Sequence, residues 1–190
     1  MFSDYIFLLP FLLHIVYVYI YLRNLKFETK NKKPLKDIIM DNCLDLRSFK
    51  FINEPLILIF LIPYVINKKL KYLYNVIKIF SLIFSLRIIT STITEMPSSD
   101  PDCDVNKKGI LKYITGHCFD KIFSGHTSLT LILVLVAFDK NLVDSNQYLI
   151  YQILQVLYGL LLICTKCHYS VDVLLSYIIV VPIFLLIKNK

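Results

Sequence analysis

The sequence predicts an all-α integral membrane protein, six transmembrane helices forming one bundle with its chemistry at one membrane face. Three observations carry that expectation. Of the 190 residues 56% are hydrophobic and the mean hydropathy is +0.62, where ordinary soluble domains are about 45–50% apolar. Several apolar runs approach or exceed the ~18 residues that suggest a membrane span, and only helices or closed barrels satisfy the backbone in lipid. Two polar segments, Ser124-Gly125-His126 and His168-Tyr169-Ser170-Val171-Asp172, open apolar runs.

The first span is expected at 4–22. It carries Asp4 and no early Lys or Arg, exceeds a usual signal-peptide core and is followed by no small-residue cleavage site, so it reads as a retained helix. A polar connection follows from Arg23 to Asn53. In it Ile38, Ile39, Cys43, Leu44 and Leu46 recur at near-helical spacing, which predicts an amphipathic helix on the membrane surface. The second and third spans fall at 52–66 and 72–96, joined by the basic turn Asn67-Lys68-Lys69-Leu70-Lys71. A second long loop runs from Pro97 to Ile122, with Pro97, Pro101, Gly109, Gly116 and two cysteines. Spans at 125–138, 147–165 and 170–187 complete the set, with a polar turn at 139–146. Residues 1–190 are therefore expected to form a single membrane domain.

The net charge of +7 resides in loops beside spans, where it suits anionic lipid head groups. No nucleic-acid-binding motif is visible, and no nucleic-acid partner is expected.

Counting spans gives the geometry. His126 opens the fourth span, the fifth returns, and His168 and Asp172 emerge on the same side at the start of the sixth. Two helix N-termini there favour an anionic phosphate. The third span runs toward that side, with Arg87 about nine residues before Met96, roughly two to three turns deep. An intramembrane guanidinium marks a functional site by default. His168 and Asp172, at i and i+4, share one helical face. One histidine can attack phosphorus, its aspartate can hold the ring, and the other histidine can protonate the leaving oxygen. In a membrane chain that trio points to phosphoryl chemistry on lipids. The plainer alternatives are Ser124 as a helix N-cap and His168–Asp172 as an interface pair.

Four stretches then resemble the sphingomyelin synthase family, within the phosphatidic acid phosphatase type 2 superfamily. Pro34-Leu35-Lys36-Asp37 is similar to the family's Pro-Leu-Pro-Asp motif. Arg87-Ile-Ile-Thr-Ser-Thr-Ile-Thr-Glu-Met-Pro97 is similar to its arginine-to-proline motif. Cys118-Phe-Asp-Lys-Ile-Phe-Ser-Gly-His-Thr127 resembles its Cys-Gly-Asp…Ser-Gly-His-Thr motif, and His168-Tyr-Ser-Val-Asp-Val173 its His-Tyr-Thr-x-Asp-Val motif. Order and spacing hold over residues 34–180, the expected catalytic region. Phe119 stands where the family has glycine, Lys36 where it has proline, and Cys167 where animal synthases carry an acidic residue.

The resemblance implies an enzyme, a phosphotransferase moving a phospho-head group (phosphocholine favoured) from a glycerophospholipid donor to a ceramide acceptor, with release of diacylglycerol. By position, His168 is the nucleophile that forms a phosphohistidine, Asp172 its orienting carboxylate and His126 the acid–base group. Arg87, Asp120, Ser124 and Lys166 are the substrate-binding candidates. No metal and no other cofactor is expected. Cys167 lies beside the head group by this resemblance, leaving choline, ethanolamine and inositol open. A lipid phosphatase or phospholipase C-type hydrolase uses the same triad, and a non-catalytic scaffold of the same fold is the alternative from another class. The oligomeric state is open, a homo-oligomer included.

The family also has cysteines in the loop holding Cys103 and Cys118, which implies a disulfide there if that loop faces an oxidising lumen. Cys164 and Cys167 form a C-x-x-C without a second pair, so zinc is not expected, and Cys43 reads as a lone thiol. His14 reads as a packing residue, and His117 is unassigned. The family's topology places the active site on the lumenal or exoplasmic side of the Golgi, endoplasmic reticulum or plasma membrane. The positive-inside rule opposes that orientation, since eight Lys and Arg lie between Arg23 and Lys50.

Overall fold

The computed structural model describes residues 33–94, 96–101 and 122–188, together with the isolated positions 13 and 16. Apart from those two positions, the expected first span at 4–22 lies outside the described residues. So do His14, Cys103, His117, Cys118 and Asp120.

Among the described residues every regular element is helical. α1 is Ile38–Asn42. α2, Arg47–Ile66, alternates 3₁₀ and α turns along its length. Pro55 and Pro63 remove ladder donors from it, and the hydrogen bonding shifts register around such gaps. α3 is Leu73–Ile93, α4 Gly125–Asp139, α5 Ser145–Cys164 and α6 Ser170–Lys188.

α4 is the axis of the bundle. It packs against α2, α3, α5 and α6. Ten of its residues, from Thr127 to Ala137, are buried, as expected of a helix apolar on every face. Its length is about 22 Å at ~1.5 Å per residue, short of the ~30 Å hydrocarbon core. Four helical stretches, Arg47–Ile66, Leu70–Thr90, Ser145–Cys164 and Ser170–Lys188, are long and apolar enough to cross a membrane. Their outward faces are apolar. On α5, Leu149, Ile150, Ile153, Val156, Leu157 and Leu160 form one exposed stripe, the pattern of a lipid-facing helix rather than a soluble one.

Two expectations need correction. The amphipathic surface helix shrinks to the five residues of α1. Ile38, Ile39 and Leu44 are exposed while Met40 is buried, so the stripe does not form one face. The third span ends at Ile93, with Thr94 already extended, ahead of the expected Met96. Pro97 follows shortly, and a proline disfavours helix in the residue before it.

Polar ties fix both ends of the bundle. At the end away from the histidines, Asn67 Nδ2 donates to Leu142 O at 3.1 Å, and Lys188 Nζ lies 3.1 Å from Asp139 Oδ1. In the interior, Tyr64 donates to Leu133 O at 2.7 Å, and Gln155 Nε2 to Thr127 O at 3.0 Å.

Candidate active site

The opposite end gathers the chemistry-bearing residues. There the N-termini of α4 and α6 lie together: Ser124 N–H donates to Asp172 O at 3.1 Å, and Ser176 Oγ donates to Ser124 O at 3.0 Å. The His126 and His168 rings stand 5.9 Å apart, edge to face. The positive ends of both helix dipoles meet there, which suits a phosphate.

The mouth of α6 is dry and braced. Asp172 Oδ2 lies 3.6 Å from His168 Nδ1, and the two side chains are 0% and 5% exposed. That is ion-pair distance, slightly beyond a hydrogen bond. The same oxygen accepts the Tyr169 N–H at 3.1 Å, half of a capping box. With Nδ1 turned to the carboxylate, Nε2 is the nitrogen of His168 that faces away from Asp172.

Two further residues hold this mouth. The Asp37 carboxylate accepts Ile39 N–H and Met40 N–H at the start of α1. It also accepts Ser170 N–H at 2.7 Å and Ser170 Oγ–H at the start of α6. One side chain thus caps two helices. Burial pushes its carboxyl up, but the hydrogen bonds from Met40, Ser170 and Ile39 outweigh burial and hold it below the ordinary aspartate value. The Tyr169 hydroxyl accepts Leu35 N–H at 3.0 Å and faces Pro97 O and Ser98 O at 3.1 and 3.2 Å. The Pro34–Asp37 stretch and the segment after α3 therefore both dock on the residues flanking His168.

The mouth of α4 is more open. Ser124 is its N-cap and accepts Thr127 N–H at 3.2 Å. Gly125 meets the Arg87 guanidinium so closely that a Cβ there would strike Nη1. Arg87 is itself buried, with its guanidinium 5.7 Å from the centre of the Phe84 ring. On the outer side, Glu54 Oε1 lies 3.4 Å from His126 Nε2, with Glu54 54% exposed and His126 13%.

The cysteines differ from expectation. Cys43 is not a lone thiol but is bonded to Cys164, across a sequence separation of 121 and with Cα atoms 5.4 Å apart. Leu46 N–H donates to Cys164 O at 3.0 Å beside it. The C-x-x-C is thereby split, and among the described residues Cys167 is the cysteine that is not disulfide-bonded. Cys167 Sγ and one nitrogen each of His126 and His168 lie within 4.8 Å of one another.

The structure therefore brings together His126, His168, Asp172 and Arg87. Ser124 directs its hydroxyl to its own helix. Lys166 donates from Nζ to Met40 O. Asp120 lies outside the described residues. The sequence analysis missed Glu54, although an acidic residue inside an apolar run is itself a signal. It also missed the capping role of Asp37 at the start of α6, for which no local pattern gives a sign.

No curated protein matches this chain. Residues 117–190 match the family model described as PAP2 superfamily C-terminal. Members of that superfamily are membrane-associated phosphatases or phosphotransferases, and the match supports a lipid phosphatase or phosphotransferase type of activity in general. The stretch that carries His126, His168 and Asp172 is thus similar to the C-terminal part of the PAP2 superfamily.

Proposed function

We propose that this protein is a sphingolipid synthase-like phosphotransferase. It moves a phospho-head group, phosphocholine by preference, from a glycerophospholipid to ceramide and releases diacylglycerol. The observation that carries this is the buried His168–Asp172 pair, 3.6 Å apart, with the His126 ring 5.9 Å from that of His168.

In the first half-reaction His168 Nε2 attacks phosphorus. An N–P bond forms, the P–O bond to diacylglycerol breaks, and His126 gives the departing oxygen its proton. Asp172 stabilises the positive charge that develops on the His168 ring. In the second, His126 takes the proton of the ceramide hydroxyl as its oxygen attacks phosphorus, and the N–P bond breaks. Arg87 and the two helix N-termini hold the phosphate oxygens, the electrostatic part of such catalysis. Asp120 is the further substrate contact of this proposal, and Ser124 and Lys166 join it only by exchanging their present partners, Thr127 N–H and Met40 O.

The site faces the lumenal or exoplasmic side in this proposal, at the Golgi, endoplasmic reticulum or plasma membrane. The Cys43–Cys164 bond supports that side, because disulfides persist in oxidising compartments. Glycosylation tags placed before α1 should be modified; if they stay unmodified, the orientation is reversed.

The test is a product assay. Purified protein is given fluorescent ceramide with phosphatidylcholine, phosphatidylethanolamine or phosphatidylinositol, and the lipids are resolved by mass spectrometry. A new phosphosphingolipid that requires His168 is expected. Release of a free phospho-head group at the same rate without ceramide would make the protein a hydrolase, the activity that the superfamily match equally allows. Inactivity across a broad lipid panel would leave a scaffold.

A further inference from the structure

The reaction centre holds a group that the proposed phosphotransfer does not use, the thiol of Cys167. With Cys164 engaged by Cys43, this sulfur stands beside both imidazoles, the three donor atoms lying within 4.8 Å of one another. Two imidazoles and a thiolate are a donor set suited to zinc, which takes four ligands in a tetrahedron at about 2.0–2.3 Å. Bonds of that length place neighbouring ligand atoms roughly 3.3–3.8 Å apart, so the three donors must close by about an ångström.

Two carboxylates flank the trio. Glu54 Oε1 lies 3.4 Å from His126 Nε2, next to one of the three donors. Asp172 sits on the Nδ1 side of His168, the arrangement by which a carboxylate orients an imidazole whose other nitrogen binds metal.

We propose that His126, Cys167 and His168 form a binding site for Zn²⁺, with the fourth position left to water, and that the bound ion reversibly blocks the enzyme. The ion occupies the two imidazole nitrogens on which the reaction depends, so zinc and the substrate phosphate exclude each other. The blocking part rests on the phosphotransfer proposal; the binding part does not.

The experiment uses the full chain in detergent with its disulfide intact. CoCl₂ is titrated in as a spectroscopic stand-in for zinc, with no lipid substrate present. One equivalent should give the visible bands of tetrahedral cobalt together with a near-ultraviolet thiolate-to-cobalt charge-transfer band, and ZnCl₂ should displace both. Cys167→Ser should lose the charge-transfer band and bind Zn²⁺ at least about tenfold more weakly, as should His126→Ala. Unchanged metal-free melting temperatures would show both variants folded. A cobalt spectrum without the charge-transfer band, or zinc affinity unchanged in Cys167→Ser, would overturn the site.

Inhibition is then read against each protein's own metal-free rate. Zn²⁺ should inhibit wild type at concentrations that match its binding, and Cys167→Ser only at about tenfold higher ones. Binding without inhibition would overturn the blocking role while leaving the site. Cobalt binding by a protein inactive on every lipid would instead count against the phosphotransfer proposal alone.

Discussion

The two helix mouths that meet at the candidate site are built differently. At α6, His168 and Asp172 are almost fully enclosed. Asp37, Tyr169 and the Cys43–Cys164 bond tie the surrounding segments to that end. At α4, His126 sits at the rim beside a half-exposed glutamate. The contrast suits the proposed division of work. A nucleophile gains from a fixed ring in a water-poor setting, where its carboxylate acts at low dielectric. An acid–base group must reach first a departing oxygen and then an incoming hydroxyl.

Removing each histidine tests that contrast most severely. His168→Ala should lower turnover by ~10⁴-fold or more, as loss of a triad member does elsewhere. His126→Ala should cost ~10²–10⁴-fold, the usual worth of acid–base assistance. Rates per mole of folded protein, with melting temperatures as the folding check, measure both. Equal losses would remove the proposed asymmetry.

The bracing of the α6 mouth is tested next. Cys43→Ser should lower stability by about 2–5 kcal/mol, because the bond closes a loop across a sequence separation of 121. Reduction should destabilise wild type in thermal unfolding more than it destabilises the variant.

A smaller effect is expected at the α4 mouth. Gly125→Ala drives a methyl group into the Arg87 guanidinium, and relieving such overpacking costs typically about 1–3 kcal/mol. Because the flexible end of Arg87 can move aside, the loss should show in the apparent KM for phospholipid more than in the melting temperature.

The smallest is Asp37→Ala, which removes a shared cap worth about 0.5–2 kcal/mol. Its carboxyl is held below the ordinary value in the folded protein, so its contribution is fully present above that value, near ~3.9. It disappears only as pH falls through the lower, folded value. The gap in melting temperature between wild type and variant should stay constant from neutral to mildly acidic pH and close only in stronger acid.

Much of the helical frame is legible in the residue order. The run ending at Asp139 begins where Ser124 supplies a cap, and the observed helix is Gly125–Asp139. Asp144 and Gln147 form a capping box at the start of α5, beside the polar turn read from sequence. The same counting rule puts the openings of the fourth and sixth spans at one end, where the histidine rings lie 5.9 Å apart. Local hydropathy fails where contacts are distant or packing is irregular. The repeat from Ile38 to Leu46 resembles a surface helix, yet the chain there is pinned by Asp37 and Cys43 to residues more than a hundred positions away.

The sequence by itself determined which stretches of the described residues form apolar helices, because backbone satisfaction in lipid and capping act over a few residues. It also singled out His126, His168 and Asp172, which the structure gathers at one end. Only the tertiary structure decided that Glu54 faces His126, that Cys43 rather than a nearer thiol bonds Cys164, and that Cys167 joins the two imidazoles. Those pairings depend on how helices pack around α4, and packing is a property of surfaces in three dimensions that no local spacing encodes.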